Sequence, residues 1–466
     1  MANEELYSKA RALIARADAG SNPSLGECEE FISTLQKFTT KHSIEETREF
    51  LDFMGSPDEN MNIIHVAGTN GKGSVCSFLS SIIQKAGYTA GMFISPHLVS
   101  ITERFRIDDK PIRNELFSEI FTETLKRIDE YGCEDYFPTY FEFLFFMAMI
   151  LYDVYPVDYL ILETGLGGRL DATNSVRSPK LCVITEIGLD HMQYLGDTVE
   201  KIAAEKAGII KESVPVVFFD KRPSCSKVIS DVAADKGSEC YKVTYEDISD
   251  ISLRIDEYGN KYIDFSLKSL YDYSMCIALS TCAKYQAENA AIAAIAAEVL
   301  GKDDKNITKE CILAGLKSAN WEGRMEQISP GLFVDGAHNI DGINAFIDSV
   351  RCMADSNAGT SQTYRRLLFG VVSDKQYPEM IRALISSKLF DMISVTNLAT
   401  DRSVSMDDLK QTIKSLQSDD DIVLPQIRYY TNVRDALINM IAERKAGDMI
   451  YVAGSLYLVG EVRSII

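Results

Sequence analysis

Asn62-Ile-Ile-His-Val-Ala-Gly-Thr-Asn-Gly-Lys-Gly-Ser-Val75 reads as a buried strand, a glycine-rich turn and the start of a helix. The run from Asn62 to Ala67 is short and mostly apolar, as a parallel strand covered on both faces requires. Beyond the turn, Val75, Phe78, Leu79, Ile82 and Ile83 share one helix face, and Gly87 ends that helix. At such a turn, backbone N–H groups and the positive end of the helix can cradle phosphates, and Lys72 adds a cation. The ordinary P-loop pattern is not met: it would need glycine at Val66, and Gly73 rather than serine or threonine follows Lys72. A glycine-rich turn with no ligand is the plain alternative, and the lysine and the strand-turn-helix setting weigh against it.

Working outward, β-branched runs alternate with helical patterns, which predicts α/β architecture with mostly parallel sheets. Strands are expected at Val157 to Leu162, Leu181 to Ile187 and Val214 to Phe219. Helices are expected around Phe143 to Leu151, after Thr198, and at about Gln286 to Leu300, the last following a less regular stretch. From Asn320-Trp-Glu-Gly-Arg324 the alternation begins again, with strands at Leu332 to Asp335, Leu367 to Val372, Met392 to Thr396 and Met449 to Ala453. The expected division is residues 1–321 and 322–466, the second a domain of about 140 residues.

Composition narrows the class of function. The 466 residues are 46% hydrophobic and 25% charged, an ordinary globular mix. The net charge of −20 repels phosphate backbones and anionic lipid, so neither nucleic acid nor membrane is an expected partner. The longest apolar run, Phe143 to Tyr152, is short of the ~20 residues that span a bilayer. No C-x-x-C pair occurs among the ten cysteines, which are expected to be reduced and mostly packed. The amino terminus shows no basic region followed by an apolar stretch, and a cytoplasmic location is the expectation.

Chemistry-bearing residues cluster just beyond the expected strand ends, where open α/β sheets bind ligands. Glu163 opens Thr-Gly-Leu-Gly-Gly-Arg-Leu-Asp-Ala-Thr-Asn174, Asp190 and His191 follow another strand, and Ser95 stands in Ser95-Pro-His97. A carboxylate, a hydroxyl and an imidazole beside a phosphate loop could hold Mg²⁺ next to ATP, although imidazole is an unusual magnesium ligand. Lys206, on the helix after Thr198, has the spacing of an ordinary solvated lysine. Val334-Asp-Gly-Ala-His-Asn339 again places polar groups after a strand, a weaker signal because Asp-Gly can be only a turn.

Taken in order, Gly68–Ser74, Ser95-Pro-His97, Leu162–Asn174, Asp190-His191, Glu205-Lys-Ala-Gly208, Gly323-Arg-Met-Glu326, Asp335–Asn339 and Gly454-Ser-Leu-Tyr-Leu458 resemble the folylpolyglutamate synthase family. That family includes bifunctional dihydrofolate synthases and lies within the Mur-type peptide ligase superfamily. The resemblance implies an N-terminal, mostly parallel P-loop-type ATPase domain that also binds folate, and a smaller C-terminal Rossmann-like domain. It implies an ATP-dependent carboxylate–amine ligase that adds L-glutamate to reduced folates through an acyl phosphate, and that also makes dihydrofolate from dihydropteroate in the bifunctional members. Substrates would be small molecules and the expected assembly a monomer.

By the same resemblance, Gly68, Thr69, Asn70, Gly71, Lys72, Gly73, Ser74, Asn289, Arg324 and Asp335 would bind ATP. Ser95, Glu163 and His191 would ligate Mg²⁺, joined by Lys206 as a CO₂-derived carbamate. Lys72, Lys206 and His338 would be catalytic, and Thr139, Phe141 and Ala172 would form the folate pocket. Two places depart from the family pattern. Lys37-Phe-Thr-Thr-Lys-His-Ser-Ile-Glu-Glu46 replaces a segment that usually reads Lys-Phe-Gly-Ile-Lys-Leu-Gly-Leu-Glu-Arg, so a different local geometry is expected there. Thr400-Asp-Arg402 replaces Asn-Pro-Arg, keeping the arginine without its proline turn. Another Mur-type amino-acid ligase, and an ATP-dependent switch that forms no amide, remain the alternatives; Gly165–Asn174 and Gly454–Leu458 favour the folate branch.

Overall fold

The computed structural model describes residues 2–36, 42–133, 136–271, 273–356, 363–416 and 423–466. The first sheet has eight strands: β1 (Ile63–Ala67), β2 (Ala90–Phe93), β3 (Phe105–Ile107), β4 (Lys110–Pro111), β5 (Tyr159–Glu163), β6 (Leu181–Ile184), β7 (Val216–Phe219) and β8 (Cys240–Val243). Their order is β4-β3-β2-β5-β1-β6-β7-β8. The six strands from β2 to β8 in that order pair in parallel, and β3 and β4 form an antiparallel edge. β1, β2, β5, β6 and β7 are buried throughout, as their apolar runs require. β6 ends at Ile184, short of the expected Ile187, because from Thr185 onward the chain meets the turn after β1.

The helix Lys72–Lys85 follows β1, with Ser74 to Ile83 buried and Gly87 at φ 90° beyond its end, as the spacing predicts. The apolar run at 143–152 lies inside the helix Tyr140–Val154, whose phenylalanines Phe143, Phe145 and Phe146 are fully buried with Phe50, Phe117 and Phe121. No helix among the described residues is long and apolar enough to cross a membrane. Five of the cysteines, at 28, 76, 182, 225 and 282, are buried, whereas Cys133 and Cys276 are exposed.

The stretch that reads as irregular is a three-stranded antiparallel sheet of β9 (Ile248–Ile255), β10 (Lys261–Lys268) and β11 (Ser274–Leu279), with β10 in the middle. A third sheet comprises β12 (Glu326–Ser329), β13 (Leu332–Val334), β14 (Arg365–Phe369), β15 (Met392–Thr396), β16 (Gln426–Tyr430) and β17 (Met449–Ala453), in the order β12-β13-β17-β14-β15-β16. It is parallel except at the β12–β13 edge, and its core gathers Phe346, Phe390, Met380 and Tyr451.

Grouped by backbone contacts, the chain forms two compact units that differ from a cut at 321/322. Met1–Ile187, Met192–Tyr245 and Ala290–Leu316 make the first, and Gly188–His191, Glu246–Asn289 and Lys317–Ile466 the second. The sheet β9–β11 therefore groups with the second unit although it precedes the cut. The helix Gln286–Leu300, found where the alanine-rich pattern predicts it, carries residues of both.

Candidate active site

In the first unit the turn after β1 is shaped by two glycines. Gly68 has φ 153°, and a Cβ on it would lie 1.8 Å from Thr185 Oγ1. Gly71, at φ 88°, is the N-cap of the helix Lys72–Lys85, so the first-turn amides of Lys72, Gly73 and Ser74 belong to a helix end that leaves such donors without intrahelical acceptors. Thr69 N–H donates to Glu186 O at 2.8 Å, and Thr185 Oγ1 donates to Asn70 O at 2.6 Å, which ties the turn to the chain leaving β6. The ammonium of Lys72 donates to Gly68 O at 3.2 Å and Thr69 O at 3.4 Å, and lies 3.8 Å from Glu163 Oε1.

Lys206 converges on the same carbonyl. Its Nζ donates to Gly68 O at 2.6 Å, and the residue is only 4% exposed. The solvated-lysine reading of its helix spacing is thereby corrected. Ile202, Ala203 and Ala207 are also buried, so Lys206 lies on the face of the helix Val199–Ala207 that packs inward. Gly168 allows the approach, since a Cβ there would come within 2.9 Å of Glu205 O and Lys206 O.

Glu163 ends β5, 3% exposed, and its Oε2 accepts from Ser95 N–H at 3.2 Å. A buried carboxylate is hard-oxygen chemistry that suits Mg²⁺ better than a softer metal, and a serine, with an oxygen side chain, is hydrogen-bonded to it through its backbone. His191, at φ 49°, lies in the segment that groups with the second unit. Beside Glu163, Gly165 abuts the ring of Phe141, which a Cβ would meet at 2.6 Å, and that ring also packs on Phe93. Thr139 N-caps the helix carrying Phe141, its N–H donating to Glu142 Oε2 at 2.8 Å. Ala172 is buried in the short turn Ala172–Ser175. Asp171 organises this turn: Oδ2 accepts Leu166 N–H, and Oδ1 accepts the Thr173 hydroxyl at 2.6 Å. Since that hydroxyl donates to Asp171, it accepts from His65 Nε2 at 2.9 Å, so His65 carries its proton on Nε2. Burial, helped by the charge of Lys211, pushes the His65 pKa down to about 3.

The second unit gathers a different set. Asp335, just past β13 and 2% exposed, accepts from Tyr285 Oη at 2.6 Å, Met325 N–H at 2.9 Å and Ala337 N–H at 2.8 Å. Burial raises its pKa despite the opposing charge of Arg324 and these hydrogen bonds. Gly336 gives Arg324 its space, because a Cβ would stand 2.1 Å from Nη1. His338 bonds Gly336 O through Nδ1 at 2.8 Å, while its Nε2 lies 3.6 Å from Asp190 Oδ2. Asp190 also accepts from Lys375 Nζ at 2.5 Å. Its burial favours the neutral acid, yet His338, Lys375 and His191 hold the pKa well below the usual carboxylate range. Asn289 is 7% exposed and donates to Gln286 Oε1 at 2.9 Å. Sequence reasoning names neither Tyr285 nor Lys375, and no spacing rule could have linked them to Asp335 and Asp190.

At the first departure from the family pattern, residues 37–41 lie outside the described residues. Ser43 and Glu46 form a capping box on the helix Ile44–Phe53, and His42 Nδ1 pairs with Glu142 Oε2 at 2.7 Å. At the second, the turn persists without proline: Ser403 N–H donates to Thr400 O, and Arg402 pairs with Asp374 at 2.7 Å.

Comparison with known proteins accords with this geometry. The family described as Mur ligase middle domain matches residues 66–297, and that described as Mur ligase, glutamate ligase domain matches 323–456. The dihydrofolate synthase/folylpolyglutamate synthase of Bacillus subtilis (strain 168) is 32% identical over 434 residues, covering 92% of this chain and 95% of that protein. Among solved structures, Mycobacterium tuberculosis folylpolyglutamate synthase complexed with ADP and AMPPCP superposes with a TM-score of 0.79 at 26% identity, covering 95% of this chain and 98% of that one. E. coli FolC in complex with DHPP and ADP gives a TM-score of 0.79 at 27% identity, covering 95% and 97%. The chain belongs to the folylpolyglutamate synthase and dihydrofolate synthase family of Mur-type ATP-dependent ligases.

Proposed function

We propose that this protein joins L-glutamate to the carboxylate of a reduced folate, using ATP to activate that carboxylate as an acyl phosphate, and that dihydropteroate is a second acceptor. The observation that carries the reading is the convergence of Lys72 and Lys206 on Gly68 O beside the buried Glu163. The Lys72 cation and the first-turn amides at one strand end suit a polyphosphate whose transferred group gathers charge in the transition state.

In this reading Gly68 to Ser74 hold the phosphates, with Lys72 turning from the loop carbonyls to the phosphoryl oxygens. Asn289, Arg324 and Asp335 are further ATP-binding residues, and Phe141, Thr139 and Ala172 receive the pterin ring, an aromatic face being suited to stacking. His338, oriented by Gly336 O, acts on the glutamate side. Ser95, Glu163 and His191, with Lys206 as its carbamate, would hold Mg²⁺, which when bound neutralises phosphate charge. The sequence divides by role into an ATP- and folate-binding part, 1–321, and a Rossmann-like part, 322–466. The protein works as a cytoplasmic monomer on small molecules.

The test is turnover of purified protein with ATP, glutamate and either tetrahydrofolate or dihydropteroate. Equal amounts of ADP, phosphate and new amide, followed by mass spectrometry, are expected. ADP release that ignores glutamate and yields no amide would leave only a nucleotide-dependent switch.

A further inference from the structure

Glu186 is a carboxylate beside the phosphate loop that the reaction as described does not use. It lies just beyond β6, where its backbone bridges to Asn70 and accepts the Thr69 N–H at 2.8 Å. Its side chain continues the contact: Oε2 accepts from Asn70 Nδ2 at 3.3 Å. An anionic group in this place opposes the binding of any polyphosphate. Lys221, from the chain leaving β7, answers it with Nζ 2.6 Å from Glu186 Oε1. The next residue fixes the same segment, since Arg222 Nη1 donates to Ile187 O at 2.6 Å. The Glu186 side chain is 15% exposed and that of Lys221 32%, so the pair is shielded from water only in part.

We propose that Glu186 and Lys221 are positioning residues of the ATP site: Glu186 braces Asn70 in the middle of the loop, and Lys221 cancels the carboxylate's charge so that the loop accepts a polyanion. The proposal rests on the loop being the ATP site. It predicts that charge balance matters more than either side chain. Glu186 alone is tolerable only while paired, whereas Gln at 186 can still accept from Asn70 without repelling phosphate.

The experiment measures the KM for ATP, kcat, and the Kd for ADP by calorimetry, on wild type, Lys221→Met, Lys221→Arg, Glu186→Gln and Lys221→Met/Glu186→Gln. Lys221→Met is expected to raise the KM for ATP and the Kd for ADP about tenfold, with kcat changed less than about twofold. Lys221→Arg should stay near wild type. The double variant should recover most of the lost affinity, which a purely structural role for Lys221 would not produce. Unaltered ADP affinity in Lys221→Met, or a double variant as weak as Lys221→Met, overturns the proposal. If Lys221→Met does not fold, weakened ADP binding in Lys221→Arg would overturn it equally. Wild-type protein that binds no ADP and turns over no ATP would instead overturn the reading of the loop itself.

Discussion

The turn after β1 and the turn after β13 both present polar groups at the end of a buried parallel strand, and they are built by opposite means. The first is made of backbone. Gly68 and Gly71 permit its path, and Lys72 and Lys206 gather on the carbonyl of Gly68. The second is made around one side chain: Asp335 takes donors from Tyr285, Met325 and Ala337, which come from three places in the chain. A backbone-built site concentrates its requirements in consecutive residues. A side-chain-built site spreads them over distant ones, with only Asp-Gly left to mark the turn.

The largest effect that would break this comparison is on rate. If the first turn works through its cation as well as its amides, Lys72→Ala should lower kcat about 10²-fold or more, the usual loss for one electrostatic contact in a transition state. The unfolding temperature should stay close to wild type, because the Lys72 ammonium bonds the loop carbonyls of Gly68 and Thr69 and lies 3.8 Å from Glu163 rather than packing in the core. A loss smaller than about tenfold would mean that amides alone suffice.

Next in size is a pair of glycine substitutions. Gly68→Ala drives a methyl into Thr185, whose Cβ would be 2.9 Å and Cα 3.2 Å away, at a φ of 153° that disfavours a side chain. Overpacking against a strand end should cost about 3 kcal/mol of stability. Gly336→Ala instead meets Arg324 Nη1 and Leu456 Cδ2, the ends of flexible side chains, and should cost less than about 1 kcal/mol while raising the KM for ATP as Arg324 shifts. Denaturant titration of both variants checks the ranking. Equal losses would show that the second turn is as rigid as the first.

The same contrast explains what the amino-acid sequence could reveal. The helix Gln286–Leu300 and the strands β1, β15 and β17 are legible because apolar runs and periodicity are local properties. The phosphate loop is legible for the same reason. The sheet β9–β11 was open to detection, since Lys261-Tyr-Ile-Asp-Phe-Ser-Leu-Lys268 alternates and buries Ile263, Phe265 and Leu267 on one face; a search for wholly apolar strands passes over it. Lys206 is a different case. Its burial depends on Gly168 and on the carbonyl of Gly68, neither of which its own helix records. Tyr285 and Lys375 are likewise brought to Asp335 and Asp190 only by the fold. The grouping of 246–289 with the second unit follows from tertiary contacts that no linker composition announces.

The smallest effect concerns the strands that feed the two turns. β13 is Leu332-Phe-Val334, wholly apolar, whereas β1 carries the fully buried His65. With its pKa pushed down to about 3, His65 stays neutral in the fold and keeps its Nε2 proton on Thr173. The unfolded chain, with an ordinary histidine pKa near ~6.5, binds a proton that the folded chain refuses in the window between those values. Stability from this residue is therefore full above about pH 6.5 and is lost as the pH falls, by about 2 kcal/mol between pH 7 and pH 5. His65→Gln offers an N–H toward Thr173 without a titrating ring. It should be less stable than wild type at pH 7, where its shape fits worse, yet its loss on going to pH 5 should be smaller by that same amount. Urea titrations at the two pH values decide it. Parallel pH slopes for wild type and variant would mean that His65 takes up its second proton, on Nδ1, as readily in the fold as in the unfolded chain, with Nε2 still donating to Thr173.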